Sequence, residues 1–590
     1  MSNLAIITAR GGFKRIAGGT LALREPEHLR SRSQDLEPIY HDTGQYYWYR
    51  TEALRREYAI IRHMEKAATD IYTFSDLREG GFTYVDKTGL ILQLVNKSIG
   101  KQFFCARPRR FGKSLLVTTL QSLFEGRREL FKGLAVDRSD YDWKSYPVLR
   151  LDMGSCQADT VERFWEKVRG LLIAESERNG VALRKDMPIT EQFKFLIQDL
   201  ALKSDSEGQS GTVRKQKQMV LLLDEYDKPL LGHLGTPEVT KFKNALKEFY
   251  SVVKTQEGYQ RFAFMTGVSK FSKVSIFSDL NNLIDITMDA RFATLFGYTR
   301  EEVKANFPGC LTELAEANGL TGEEAFAKLE EMYDGFKFHP KAKRVFNPVS
   351  VGKCLSQKEF GRFWFETGTP SFLVELLRRN PIGEDELAVT ASDLSAAYEP
   401  EQVWILPLMV QTGYLTIKSA KQEGDDTVCT LGYPNREVEG AMSKYLVQGY
   451  SCARREEFGP ICNRIYNGLA GGEPDEVLEG VKCFFENIPY DLQVKYEKYY
   501  QSLFVSIFLM LKARVSSEVK TARGRIDAVV ETPKFIYLFE FKLRGTSEEA
   551  LAQIEEKGYA DRFATDPRKL FKIGCAFDWD ARNLGKWLVA

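Results

Sequence analysis

Residues 107–114 read Arg-Pro-Arg-Arg-Phe-Gly-Lys-Ser. A glycine, a lysine and a serine in succession suit the cradling of a polyphosphate. Gly112 lets the backbone come close to phosphate oxygens. Lys113 supplies positive charge to the terminal phosphates, and Ser114 offers a hydroxyl to Mg²⁺. A helix that begins here would add an N-terminus that favours anions. Arg109 and Arg110, followed by Phe111, add charge at the same mouth. The spacing is that of the P-loop, GxxxxGK[ST], with Arg107 in place of the first glycine. The triplet alone also fits a basic turn before a helix.

A second element changes that balance. Residues 219–231, MVLLLDEYDKPLL, are an apolar run that ends in two carboxylates. A buried strand with this ending is what a phosphate loop needs beside it. Asp224 would hold Mg²⁺, through Ser114 or through water, and Glu225 would orient or deprotonate the attacking water. A third strand, RFAFMTGV (261–268), places Thr266 where a polar side chain can sense the γ-phosphate. Threonine is also a good strand former, so Thr266 alone says little.

A separate group lies near the C-terminus, in GRIDAVVETPKFIYLFEFKL (524–543). Glu540 and Lys542 are two apart on a strand and therefore share a face. A hairpin can bring Asp527 beside them. Two carboxylates and a lysine can hold Mg²⁺, activate a water and offset charge on a phosphate. Glu497, on a preceding helix, and Glu518 could add metal ligands. Gln553 and Tyr559, on a following helix, could contact a substrate backbone. Phe539 and Phe541 take the alternate positions, so either they or the charged pair face inward. The same alternation occurs on ordinary edge strands.

These groups need elements to hold them. The 590 residues allow about four domains at roughly 150 residues each. From about 70 to 300, strand-like runs such as PVLRLDM (147–153) alternate with amphipathic helical stretches, which predicts a parallel α/β sheet. From 301 to 485 the helical pattern dominates, as in EEAFAKLEEMY (323–333) and FWFETGTPSFLVELLRR (363–379). From 486 to 590 the pattern predicts a helix (496–513), two strands, a helix (547–560) and a last strand, KLFKIGCAFD (569–578). Residues 1–57 are rich in Arg and short on helical periodicity.

Composition excludes several classes. Lys plus Arg is 82 and Asp plus Glu is 81, so a uniformly basic coat is ruled out, though a local basic groove is not. None of the five histidines is spaced as HExxH, and none of the nine cysteines as CxxC, which argues against zinc. Scattered cysteines suggest reduced thiols. The longest apolar runs, Met219 to Leu223 and Leu503 to Leu511, fall far short of the ~20 residues a membrane span needs. The opening MSNLAIITARGGFKR lacks the apolar core of a signal peptide, so a cytoplasmic location is expected.

The chain resembles a family in these same motifs. FTYVDKTGLILQLV (82–95), RPRRFGKSLL, LDEYDKPLL, FMTGVSKFSKVSIFSDLNNLIDIT (264–287), YDGFKF (333–338) and FNPVSV (346–351) look like the AAA-ATPase-like proteins of bacteria. That family also writes arginine at the first P-loop position. The likeness runs from about 70 to about 380. It implies a P-loop NTPase parallel sheet with helices on both faces, ATP binding, and hydrolysis within the signalling branch of P-loop ATPases. Residues 486–590 are similar to the PD-(D/E)xK nuclease-like α/β domain that often ends these proteins. That likeness puts Asp527, Glu540 and Lys542 on the core motif and Glu497 on the helix glutamate. It also sets Gln553 with Tyr559 on a Q…Y helix. Residues 1–57 resemble, in Arg10-Gly11-Gly12-Phe13-Lys14-Arg15 and in 27–50, cytidylyltransferases that activate sialic- or pseudaminic-acid-like sugars. The middle of that fold has no room in 57 residues, so a remnant without activity is expected.

The expected organisation is therefore a remnant (1–57), an ATPase domain (70–300), a helical middle region (301–485) and a nuclease-like domain (486–590). ATP and Mg²⁺ are the expected cofactors, and nucleic acid, DNA or RNA, the expected partner, with no membrane. An oligomer is compatible with the sequence. Three functions are open: an ATP-dependent switch driving a Mg²⁺-dependent nuclease, a regulatory or nucleic-acid-binding protein with an inert nuclease fold, and a nucleotide-sugar enzyme.

Overall fold

The computed structural model describes four short strands within residues 5–50, residues 66–487, Phe504, Ile507 and residues 514–590. Excepted are 70, 97, 204–217, 271–281, 365–372, 374–386, 397–403, 443–454, 522–523, 543 and 579. The N-terminal strands form two hairpins, β1 (Ala5–Thr8) with β2 (Gly12–Arg15) and β3 (Leu36–His41) with β4 (Gln45–Arg50).

The first large unit is a five-stranded parallel sheet. Its strands are β5 (Gln102–Ala106), β6 (Val148–Asp152), β7 (Met219–Asp224), β8 (Gln260–Gly267) and β9 (Ile284–Asp285). They lie in the order β6-β7-β8-β5-β9, with every pair parallel. β5 and β7 are buried along their whole length. Strands buried on both faces need near-continuous apolar sequence, and QFFCA and MVLLLD supply it. The crossovers carry helices α1 (Lys113–Phe124), α2 (Val161–Arg178), α3 (Ile189–Lys203) and α4 (Val239–Thr255). In a parallel sheet all the C-terminal strand ends open on one edge, where ligands of α/β proteins gather. Here that edge brings together the loop after Ala106, Asp152, Asp224 and Thr266. β8 stands between β5 and β7, so the phosphate loop and the acidic strand end are next-but-one neighbours.

The region after 300 is helical, as expected, through Arg300–Asn306, Pro308–Ala317, Gly322–Tyr333 and Pro348–Gln357. The proposed helix over 363–379 lies almost wholly outside the described residues. A three-stranded antiparallel sheet then follows, which the helical reading does not contain: β10 (Ala388–Thr390), β11 (Thr416–Glu423) and β12 (Asp426–Gly432), in the order β10-β12-β11.

The C-terminal unit is a mixed sheet in the order β13 (Arg514–Thr521), β14 (Gly524–Glu531), β15 (Phe535–Lys542), β16 (Lys569–Asp578), β17 (Asn583–Val589). Only β15 and β16 are parallel, joined through helix α7 (Ser547–Glu556). Helices α5 (Arg455–Gly471) and α6 (Pro474–Glu486) cover one face. There Ile465, Val477, Val481 and Phe484 pack with Tyr537, Phe539 and Ile573. α7 covers the other, where Ile554 and Tyr559 meet Ile526, Val529, Ile536 and Leu538. The two-residue period of β15 thus sends Tyr537, Phe539 and Phe541 one way and Leu538 and Glu540 the other.

α7 comes unusually close to the sheet at Gly574, the β16 partner of Glu540. A Cβ on Gly574 would meet the Ser547 carbonyl oxygen at 2.4 Å and the Leu551 nitrogen at 2.5 Å. Both are helix backbone and cannot step aside. Gly574→Ala should therefore destabilise the C-terminal unit by about 1–3 kcal/mol. A melting curve of the full chain in which the C-terminal transition is unmoved would refute this account of the packing.

Candidate functional site

The loop after β5 is held by its own side chains. Gly112 sits at φ +83°, with open space around it, so backbone conformation and not crowding calls for glycine there. Lys113 opens α1 and is buried. Its ammonium donates to the carbonyls of Arg107 (3.0 Å) and Pro108 (2.9 Å). Burial pulls its pKa down, against the pull of Glu225, Asp224 and Asp227. Arg107, at the first-glycine position, is fully buried and does not face the mouth. It donates to the Ala106 carbonyl (2.9 Å) and the Thr287 carbonyl (2.7 Å), and lies 4.2 Å over the Phe338 ring. Arginine here is a tie between the loop and the chain beyond β9. Arg109 and Arg110 are half-buried, and Arg110 adopts φ +65°. Phe111 is buried edge-on to Phe336 (4.8 Å) and Phe338 (5.4 Å).

The acidic end of β7 stands opposite. Ser114 lies close enough to the Asp224 carboxylate to lower its pKa, which brings the two motifs together. Burial pushes Asp224 up to about 6, with Ser114 and Lys113 opposing. Its Oδ1 accepts from the Glu225 N–H at 2.9 Å. Glu225 lies at φ +48°, a region that non-glycine residues seldom occupy and that marks functional strand ends. Its carboxylate stands 3.7 Å from the Lys228 ammonium. Thr266 is buried, and its hydroxyl donates to the Cys105 carbonyl at 2.7 Å.

Two carboxylates here escaped the sequence reading. Asp152 ends β6 directly beside Asp224 in register, and burial together with Glu225 raises its pKa. The signal was available in PVLRLDM, a strand that ends in an acid like its neighbour. Asp227 is fully buried and accepts from the Val268 N–H (3.1 Å), the Ser269 N–H (2.7 Å) and the Ser269 hydroxyl (2.5 Å). It fixes the loop that follows β8.

At the C-terminal sheet, Asp527 accepts from the Phe541 N–H at 2.8 Å, so its side chain crosses to β15 at the level of Glu540 and Lys542. The Lys542 ammonium donates to Gln553 Oε1 at 2.5 Å. Gln553 Nε2 donates to Glu540 Oε1 and lies 3.5 Å from the Tyr559 hydroxyl. Glu540 is 2% exposed, and its Oε2 is buried without a hydrogen-bond partner. Burial, then the neighbouring Asp527, push its carboxyl up to about 8, with Lys542 opposing. Asp527, Glu540, Lys542, Gln553 and Tyr559 are thus gathered under α7. Glu497 and the Glu518 side chain lie outside the described residues.

Neither site is a ready-made cage: among the described residues no three His, Cys, Asp or Glu side chains stand together as metal ligands. The donor sets nevertheless fit Mg²⁺, which is held by one or two carboxylates plus waters and phosphates. The orphaned Glu540 oxygen beside Asp527 is a hard ligand of the kind such an ion takes. Ser114 with Asp224 offers the corresponding hard oxygens at the phosphate loop.

Comparison with known proteins finds two matching family models. A family model described as predicted AAA-ATPase matches residues 69–277, and one for the PD-(D/E)XK nuclease superfamily matches 495–587. An Azotobacter chroococcum mcd 1 protein, described as an uncharacterized protein in the vnfD 5′ region, is 35% identical over 545 residues. The match spans 89% of this chain and 99% of that protein. No solved structure matches. Nothing in these matches supports the likeness of residues 1–57 to cytidylyltransferases, and that reading is dropped.

The raised Glu540 carboxyl makes a pH prediction. Its ordinary pKa is 4.5 and its folded value about 8, so between these the folded site holds a proton that a bound cation must displace. Mn²⁺ affinity at this site should therefore climb by up to about tenfold per pH unit below pH 8 and level off above it. Glu540→Gln should abolish the slope. Calorimetric titration at pH 6, 7 and 8 checks this; a flat wild-type profile would overturn it.

Proposed function

Since the chain belongs to the predicted AAA-ATPase family and ends in a domain of the PD-(D/E)XK nuclease superfamily, we propose that it is a cytoplasmic ATPase. Its nucleotide state would govern a Mg²⁺-dependent nuclease site. The observation that carries the ATPase half is the closeness of Ser114 and Lys113 to the Asp224 carboxylate, which brings the lysine loop to the acidic strand end. In this reading Lys113 leaves the Arg107 and Pro108 carbonyls for the terminal phosphates. Arg109 and Arg110 add charge at the mouth. Bound Mg²⁺ would offset the phosphate charge and be held through Ser114 and Asp224. Glu225 takes a proton from, or aligns, the attacking water. Thr266 senses the γ-phosphate only by giving up its bond to Cys105.

At the C-terminal site, Asp527 and Glu540 would hold Mg²⁺, with Glu497 as a further ligand, and Lys542 would offset charge on the scissile phosphate of DNA or RNA. Gln553 must release Lys542 for that. The same bridge favours a second reading, in which the fold grips nucleic acid without cutting it. A cytoplasmic setting fits the cysteines, since the eight among the described residues are all free thiols. No helix among the described residues is long and apolar enough to cross a membrane.

Lys113→Ala should weaken ATP binding by roughly 10–100-fold, since a charged hydrogen-bond donor is lost. Glu225→Gln should keep binding and lower kcat by about 10²–10⁴-fold. Equal ATP affinity for the wild type and the Lys113 variant would refute the nucleotide assignment.

Asp527→Ala should abolish Mg²⁺- or Mn²⁺-dependent cleavage of plasmid DNA or RNA, and Lys542→Ala should slow it while metal binding persists. Metal binding without cleavage by the wild type decides for the binding-only reading.

A further inference from the structure

Five successive residues of the phosphate loop are each gripped by chain far downstream. Arg107 lies over the Phe338 ring. Pro108 packs on Gly413, where a Cβ would meet its ring at 2.8 Å. The Arg109 carbonyl accepts from the Trp364 indole at 3.4 Å. The Arg110 guanidinium donates to the Phe363 carbonyl. Phe111 sits edge-on to Phe336. Only Gly112, Lys113 and Ser114 are left to the sheet itself.

Phe363 and Trp364 are in turn organised by one side chain. Glu437, 1% exposed, accepts from the Phe363 N–H (2.5 Å) and the Trp364 N–H (2.9 Å) on a single oxygen, Oε1. Its Oε2 accepts from the Ser350 hydroxyl at 2.8 Å. A buried carboxyl is costly to keep, and both its oxygens are spent on this one turn and the helix beside it. The Arg110 guanidinium of the phosphate loop also feels its charge.

We propose that Glu437 is a positioning residue of the nucleotide site: by fixing the Phe363–Trp364 backbone it sets where Arg109 and Arg110 stand. The proposal rests on the ATP-binding reading. It extends the nucleotide-binding unit from the loop at 107–114 to residue 437. It also gives nucleotide occupancy a route outward, because an arginine that swings to a phosphate must release the Phe363 carbonyl.

The test uses the full chain with Glu437→Ala and Glu437→Gln, and two measurements: amide hydrogen exchange and ATP affinity. Alanine leaves two buried N–H groups without an acceptor. Exchange should rise at 107–112 and 361–364 while the C-terminal unit is unchanged, and ATP affinity should fall on the order of tenfold. Glutamine keeps an oxygen for both N–H groups and should restore both readouts. A merely structural role would raise exchange throughout and would not be rescued. If the alanine variant fails to fold, Glu437→Asp, which draws the acceptor back by one methylene, should show the same local pattern more weakly. Unchanged exchange at 107–112 in a folded Ala or Asp variant overturns the proposal. Failure of the ATP reading shows separately, as equal ATP binding by the wild type and Lys113→Ala, and leaves the exchange result standing.

Discussion

Charge taken out of water is the constraint on which both sheets depend. Lys113, Arg107, Asp224, Asp227, Glu437 and Glu540 are all buried, and no buried charge is stable without partners. Where the partners are internal, the group does structural work. Arg107 has carbonyls and a ring, and Asp227 has three donors from the turn after β8. Burial moves the pKa of every one of them: it lowers Arg107 and Lys113 and raises Asp224, Asp227, Glu437 and Glu540. Among these groups Glu540 is the carboxyl with a buried oxygen that no donor reaches.

Backbone geometry places the under-partnered groups. Parallel strands end together, so Asp152 and Asp224 emerge side by side with the phosphate loop two strands further along. The pleat of β15 does the same job at the other end of the chain. It gives Phe539 and Phe541 to the helices α5 and α6 and leaves Glu540 to α7. Gly574 then lets α7 sit close enough for Gln553 to reach both Glu540 and Lys542. In each case the apolar half of an alternating or continuous pattern fixes the element, and the polar residue is carried to its place.

Legibility followed the range of the interaction. Gly112-Lys113-Ser114 and Glu540-x-Lys542 were readable because neighbours a few residues apart share one element and one period. Phe539 and Phe541 were readable for the same reason. The role of Arg107 was not, since its partners lie at 287 and 338. Glu437 gave no local signal at all. The sheet β10-β12-β11 escaped because β11, TIKSAKQE, is exposed along most of its length and shows no apolar alternation. Its turn, Gly424-Asp425, was the cue that went unused. β13 and β17 are edge strands, where polar sequence is tolerated and the period-two signal fades.

Burial raises both candidate metal groups, and how far follows from what surrounds them. Asp224 has a hydroxyl and a buried ammonium close by, so burial lifts it only to about 6. Glu540 has another carboxylate beside it and an oxygen with no donor, so it rises to about 8. The Glu540 carboxyl is therefore raised further than that of Asp224. In the proposed reading a cation beside Asp527 would have to displace a proton from Glu540, while Gln553 bridges Glu540 and Lys542. In that reading, anything that draws α7 and Gln553 away, or supplies phosphate charge for Lys542, would lower the cost of filling the site.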